Sequence, residues 1–317
     1  MNDACAVNNR KAAVIGCGFV GSSIAFTLMQ RSVFSELVLI DIDGKKAEGE
    51  ALDISHGLPY SAPMEIYAGD YDDISDAGLI IITAGANQKE GETRLDLIGK
   101  NLKILEGIIP EIARRDYKGI LMIVTNPVDI LTDAALKMSG FPPERVIGSG
   151  TVLDTGRLKY LLSRRLNVDA RSVHAVIIGE HGDSELAVWS GANISGIDLD
   201  HFYELRGIPD YKKDTQRIYC EVRDSAYEII DRKGATYYGI AMAVAKISES
   251  ITRDEHSILP VSSLLSGQYG ISGLCLSIPT IVGSGGAEKV LEIPLSGTEQ
   301  RELAASAEAL KKLTVDS

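Results

Sequence analysis

The feature that most restricts the fold is a glycine-rich turn at residues 16–21. Gly16-Cys17-Gly18-Phe19-Val20-Gly21 has the spacing G-x-G-x-x-G, follows the apolar run AAVIG (12–16) and opens a stretch with helical spacing of apolar residues, 20–31. A strand turning directly into a helix gives each glycine its own task. Gly16 permits the tight turn, Gly18 lets a pyrophosphate approach the backbone, and Gly21 lets helix and strand pack closely. The helix N-terminus then points N–H groups and a positive dipole end at the phosphates. A second apolar run, LVLID (37–41), ends in Asp41. A carboxylate there would accept hydrogen bonds from an adenosine ribose and repel a 2′-phosphate, so NAD is expected rather than NADP. FAD shares this fingerprint, and only chemistry further along the chain separates the two.

The same alternation continues. LIIITA (79–84) and ILMIVT (120–125) read as strands buried on both faces, EIYAGD (65–70) as a weaker strand, and 44–55 and 94–114 as helices between them. That rhythm predicts a Rossmann-type, doubly wound parallel sheet over residues 1–148, with VIGSG (146–150) as its last strand. Residues 149–317 are expected to form an α+β catalytic domain: a helix at 153–166, a strand then loop over HAVIIGEHGD (174–183), and long helices over 210–252 interrupted near Gly234. HSILPVSSLL (256–265) and LCLSIPTIVG (274–283) read as strands of an antiparallel sheet, followed by a helix at 298–313. No repeat or low-complexity linker separates the halves, which predicts tight packing between them.

Composition narrows the function classes. A net charge of −12 over 317 residues argues against nucleic-acid or anionic-membrane partners, while a local cluster of Arg and His could still bind an anionic substrate. Cys5, Cys17, Cys220 and Cys275 are scattered without metal-ligand spacing, which fits free thiols in a reducing compartment. The N-terminal residues lack the basic start and apolar run of a signal peptide, and no segment has the length of a membrane span, so a cytoplasmic protein is expected.

Exchange of a hydride at a 2-hydroxy acid requires a carboxylate anchor, a polarised carbonyl and a proton donor that can also act as acceptor. His181, in GEHGD just after a strand, titrates near neutrality and can serve in both directions. Asp154, in TVLDTGR, can hold its tautomer and stabilise its charged form. Arg157 falls on the same helical face three residues on, with a fork suited to a carboxylate. Arg94, in the Gly-flanked loop EGETR, could close over the site and polarise the carbonyl. Each charge alone would read as an ordinary surface ion pair; it is the set that points to chemistry.

The segments AVIGCGFVG, LIDID, TAGANQKEGETR, VTNPVD, GSGTVLDTGR, IIGEHGD and KGATYYGIA, in this order, resemble the L-lactate/L-malate dehydrogenase family over nearly the whole chain. The resemblance implies NAD as cofactor, no metal, His181 as acid–base, Asp154 as its partner, Arg157 as carboxylate anchor and Arg94 as the polarising lid residue. It implies that Asn126 contacts substrate and nicotinamide, and that Thr236 and Ile240 line their pocket. Further cofactor contacts are expected at Gly16, Gly18, Val20, Gly21, Asp41, Thr83 and Gly85, with a mobile loop over 85–95 and a homotetramer. Gly156 departs from the family's usual Ala and should loosen its helix slightly.

Gln88 stands where malate-specific members carry Arg. A neutral side chain there would leave the second carboxylate of oxaloacetate unpaired in a closed pocket, so the pyruvate/L-lactate couple is expected, with L-malate as the alternative. Lys159 and His174 match the positions with which bacterial lactate dehydrogenases bind fructose 1,6-bisphosphate at a subunit interface; Lys in place of the usual Arg keeps the charge but loses the bidentate fork. Two other readings were open. An NAD-dependent glycosidase would need a metal held by Cys and His, and the five histidines (His56, His174, His181, His201, His256) form no ligand motif. A non-catalytic NAD sensor would not need His181, Asp154, Arg157 and Arg94 together. Tyr219, Tyr227, Tyr237 and Tyr238 at helical spacing suggest packing rather than ligand stacking.

Overall fold

A computed structural model describes residues 7–86 and 93–315. The first half comprises β1 (Asn8–Ile15), α1 (Phe19–Arg31), β2 (Glu36–Ile40), α2 (Gly44–Ser55), β3 (Glu65–Ala68), β4 (Ala77–Ile82), α3 (Arg94–Ala113), β5 (Ile120–Ile123), α4 (Val128–Ser139) and β6 (Val146–Gly148). Where helices cover both faces the strands are uninterrupted apolar runs, as in residues 12–15, 37–40, 79–82 and 120–123, whereas β1 opens with the polar residues 8–11. Alternate residues divide accordingly. Ala12, Val14, Leu37, Leu39, Leu79 and Ile81 pack with Ile24 and Leu28 of α1, whereas Ala13, Val38, Ile80 and Ile82 pack with Leu105 and Ile109 of α3 and Leu131 of α4.

The second half continues with α5 (Val152–Leu166), β7 (Val173–His174), β8 (Ile177–Ile178), β9 (Leu186–Ala187), β10 (Asn193–Ile194), β11 (Ile197–Asp198), α6 (Leu199–Leu205), α7 (Tyr211–Lys233) and α8 (Tyr238–Thr252). It ends with β12 (Ser257–Leu259), β13 (Ser262–Ser266), β14 (Ser272–Ser277), β15 (Thr280–Gly283), β16 (Gly286–Val290) and α9 (Gly297–Val315). The main sheet has eight strands in the order β14-β13-β6-β5-β4-β1-β2-β3. Strands β1–β6 pair in parallel, and the chain moves outward from β1 through β2 and β3 before returning to β4 on its other side. That reversal opens a crevice beyond the carboxyl ends of β1 and β4.

The C-terminal strands differ from the expectation in a specific way. Pro260 and Pro279 each divide a sequence-predicted strand, since proline has no N–H to give a ladder. The pieces then go to different sheets. β13 pairs antiparallel with β6 at Ser262 and Gly148, so β13 and β14 extend the main sheet, while β12, β15 and β16 form a separate one. The 174–183 strand is likewise reduced to the two-residue pieces β7 and β8. Gly234 ends α7 in the left-handed conformation (φ +83°), where a side chain would be strained. The halves share a core in which Ile98 of α3 and Ile130 of α4 pack with Leu276 and Leu303. Among the described residues no helix is long and apolar enough to cross a membrane.

Candidate active site

The glycine turn has the geometry its sequence requires. Gly16 has φ +102°, and a Cβ there would lie 2.5 Å from the Ala84 nitrogen; a Cβ on Gly21 would run into the Gly16 carbonyl. Gly18 differs: a Cβ on it would meet no protein atom, so the space above it is open. No side chain caps α1 and its first turn has no acidic residue, leaving its N-terminus to an outside anion. A cleft of about 680 Å³ lies here, lined by Gly16, Gly18, Asp41, Thr83 and Gly85. Val20 lies in the first turn of α1 and is half-buried against the core. Thr83 donates its hydroxyl to the Gly16 carbonyl at 2.6 Å and so ties the end of β4 to the turn. Asp41 accepts the Cys17 N–H at 2.6 Å and the Asp43 N–H at 3.0 Å. The carboxylate is thus fixed at the rim of the cleft by the loop it serves. Cys17 itself is buried, and burial with the nearby Asp41 pushes its thiol up to about 12, so it takes no part as a nucleophile. An adenine dinucleotide fits this donor set: an open helix N-terminus for pyrophosphate and an oriented carboxylate for ribose.

His181, Asp154 and Arg157 form one contiguous array. Nδ1 of His181 donates to Asp154 Oδ2 at 2.6 Å, and Arg157 Nη1 donates to Asp154 Oδ1 at 2.7 Å. Asp154 and Arg157 sit in the first two turns of α5, and His181 on the loop after β8. The Asp154 side chain is 2% exposed and that of His181 is 23% exposed, so the imidazole is the more accessible member of the pair. Burial lowers the His181 pKa, but the charge and hydrogen bond of Asp154, reinforced by Glu185 and Asp129, raise it from 6.5 to about 9. Burial likewise pushes Asp154 up, yet His181 and Arg157 together hold it below the usual carboxylate range. The array is therefore a charged imidazole, its counter-ion and a guanidinium in a row.

Asn126 is exposed just beyond β5, where its carbonyl accepts from Asn101 Nδ2 at 2.7 Å. Gly85 lies against Thr125, with no room for a Cβ between them. Thr236 is half-buried in the α7–α8 connection, and Ile240, in the first turn of α8, packs against the core. Arg94 is the first residue of α3, between Thr93 and Asp96 of its capping box, but its side chain lies outside the described residues, as does the whole of Gln88. Lys159 is half-buried on α5, and burial lowers its pKa; His174 is exposed on β7. Tyr219 donates its hydroxyl to the Glu185 carbonyl and Tyr237 stacks on Phe19 at 5.4 Å, whereas Tyr227 and Tyr238 are exposed, so packing within the chain accounts for only part of the set.

Three contributors escaped the sequence reading. Asp129, buried in the first turn of α4, accepts the His181 backbone N–H at 2.8 Å and the Ser277 hydroxyl at 3.1 Å, clamping the histidine loop over the end of β5. Asn101, buried in α3, accepts the Ala86 N–H at 2.8 Å while holding Asn126. Glu185 lies buried beside the Asp154–His181 pair. The signal for Asp129 was present: an acidic residue inside the apolar run after Asn126-Pro127.

Known proteins place this geometry. Residues 10–148 match the lactate/malate dehydrogenase NAD-binding domain, and residues 151–315 match the lactate/malate dehydrogenase alpha/beta C-terminal domain. The chain is 54% identical over 304 residues to L-lactate dehydrogenase from Acetivibrio thermocellus, covering 96% of each protein, and 54% identical over 303 residues to L-lactate dehydrogenase from Priestia megaterium, covering 96% of this chain and 95% of the relative. The solved structure of MGS-M5, a lactate dehydrogenase from a deep-sea metagenome library, superposes with a TM-score of 0.95 at 44% identity, covering 98% of this chain and 99% of that one. The ligand-bound minor L-lactate dehydrogenase of Enterococcus mundtii gives 0.94 at 40% identity, over 97% and 98% of the two chains. With the glycine turn, Asp41 and the His181–Asp154–Arg157 array in these places, the chain belongs to the lactate/malate dehydrogenase family, and its first half is that family's NAD-binding domain.

Proposed function

We propose that the protein is an L-lactate dehydrogenase, moving a hydride reversibly between L-lactate and pyruvate, with residues 1–148 carrying NAD and 149–317 most of the substrate machinery. The observation that carries this reading is the double use of Asp154, which holds His181 through Nδ1 and Arg157 through Nη1. It leaves the imidazole Nε2 as the proton-exchanging atom and sets the guanidinium at a fixed separation from it. Arg157 binds the carboxylate of the keto acid, and His181 gives its proton to the carbonyl oxygen as the carbon is reduced. The nicotinamide, when bound, supplies or accepts the hydride. In lactate oxidation His181 begins neutral and takes the hydroxyl proton. Arg94 polarises the carbonyl from above, Asn126 contacts its oxygen, and Thr236 and Ile240 bound the pocket.

Gln88 selects pyruvate over oxaloacetate because it offers no charge for a second carboxylate. Lys159 and His174 form half of a subunit-interface site for fructose 1,6-bisphosphate, and the working form is a cytoplasmic homotetramer. α5, which bears Lys159, packs against Val173 next to His174, in keeping with one local basic site. The test is steady-state NADH oxidation with pyruvate and oxaloacetate, each with and without the sugar bisphosphate. A wild type that prefers oxaloacetate, or Gln88→Arg that fails to raise relative activity on it, rejects the substrate assignment. Pyruvate saturation curves unmoved by the bisphosphate reject the effector site.

A further inference from the structure

The reaction as described gives no task to the carboxyl beside its central pair. Glu185, 4% exposed, places a carboxylate oxygen within 4.8 Å of both an Asp154 oxygen and a His181 ring nitrogen. Its Oε1 has no hydrogen-bond partner among the described residues. The backbone around it is fastened: its N–H donates to the Gly182 carbonyl at 3.1 Å, and its carbonyl accepts from Tyr219 on α7. The side chain is thus held next to the pair without being consumed by a structural ion pair.

A buried, unpartnered carboxylate next to an ionised aspartate is unfavourable, both because it is desolvated and because the charges repel. We propose that Glu185 is a positioning residue for proton transfer, a buried carboxyl that stands beside the Asp154–His181 pair in neutral form and, on losing its proton, holds the imidazole charged. The inference rests on His181 as the acid–base group. Asp154 and Arg157 face this cluster from α5, Asp129 from α4, and Tyr219 and Arg223 from α7. Burial and Asp154 push the Glu185 carboxyl up, against the pull of His181, Arg157 and Arg223, to about 8. While Glu185 is neutral, Asp154 is the dominant negative partner of the imidazole, which can then release its proton to the keto acid. Above that range a second negative charge opposes the release.

The test is Glu185→Gln, which fixes the neutral form at nearly constant shape. His181 is followed by NMR in protein labelled at histidine, its resonance assigned from His181→Asn. The His181 midpoint should fall by about one pH unit in Glu185→Gln, the shift expected of one charge at this distance. The alkaline limb of kcat/KM for pyruvate and the acid limb for lactate should move down together, and Glu185→Asp should restore part of the change. An unchanged midpoint, or an identical shift in Glu185→Asp and Glu185→Gln, overturns the proposal. Should Glu185→Gln not fold, the side-chain carboxyls of glutamate-labelled wild type decide. One titrating above neutrality supports the proposal, and all titrating in the ordinary acid range overturn it. The NMR midpoint is read without turnover, so a protein inactive on every 2-keto acid would reject the dehydrogenase reading separately.

Discussion

Asp154→Asn replaces the carboxylate joining His181 to Arg157 with a neutral amide of nearly the same size. The imidazole loses the main charge that raises it to about 9 and keeps the burial that lowers it along with the smaller pull of Glu185 and Asp129, so its pKa should drop toward 6.5. At about pH 8 an imidazole with pKa about 9 is protonated roughly 90% of the time and one at about 6.5 roughly 3%, a loss of about 30-fold in available acid. At about pH 6 both are mostly protonated and this loss nearly vanishes, leaving only the cost of misorienting His181 and unpairing Arg157. The assay is kcat/KM for pyruvate across this range, with the alkaline limb expected to fall by two units or more. A rate loss equal at both ends would refute the argument, because Asp154 would then not be setting the charge of His181. Stability should follow with a definite sign. A folded-state pKa raised from 6.5 to about 9 contributes stability below pH 6.5 that is lost as pH rises to 9, at most about 3 kcal/mol. Denaturant midpoints should fall over that window in wild type and much less in Asp154→Asn.

The glycine turn offers a matched pair. Gly18→Ala meets no protein atom and should keep its melting temperature while weakening NADH binding at least about 10-fold by fluorescence titration, whereas Gly21→Ala collides with the Gly16 carbonyl and should lose a few kcal/mol of stability as well. Asp41→Ser should raise NADPH use relative to NADH, since the charge that repels a 2′-phosphate is gone; an unchanged ratio would remove Asp41 from cofactor selection. Arg157→Lys keeps the charge but loses the fork, and should raise KM for pyruvate by about 10- to 100-fold. Gly156→Ala has free space around its Cβ in the middle of α5 and should add about 0.5–1 kcal/mol by thermal denaturation.

The parts of the fold that were legible are those whose local pattern has a single physical explanation. β1, β2, β4 and β5 are short apolar runs closed by polar or glycine residues, and covered parallel strands produce that pattern. α4 left no such trace. Its polar residues Asp129, Thr132 and Asp133 stand at helical spacing but are buried like Val128, Ile130 and Leu131, so they mark no solvent face and the pattern has no single explanation. The pairing of β13 with β6 was equally silent. Ser262 meets Gly148 across more than a third of the chain, and nothing near either residue specifies that contact.

The site divides along the same line. His181, Asp154 and Arg157 could be read because their side-chain chemistry is distinctive and their motifs are short, so each suggested a role before its position was known. Asp129, Asn101 and Glu185 act through burial, a property that the three-dimensional packing creates. Yet burial leaves one trace in the sequence, since a charged residue within an apolar run is costly unless something answers it. Asp133, inside α4, is answered by Lys137 at 2.5 Å, and Asp129 by the His181 N–H and Ser277. Glu185, directly before Leu186 and Ala187 of β9, is buried with an Oε1 that has no hydrogen-bond partner among the described residues. The cost of that arrangement persists only if the group gives up its charge or acts on its neighbours, and its neighbours are the pair that moves the proton.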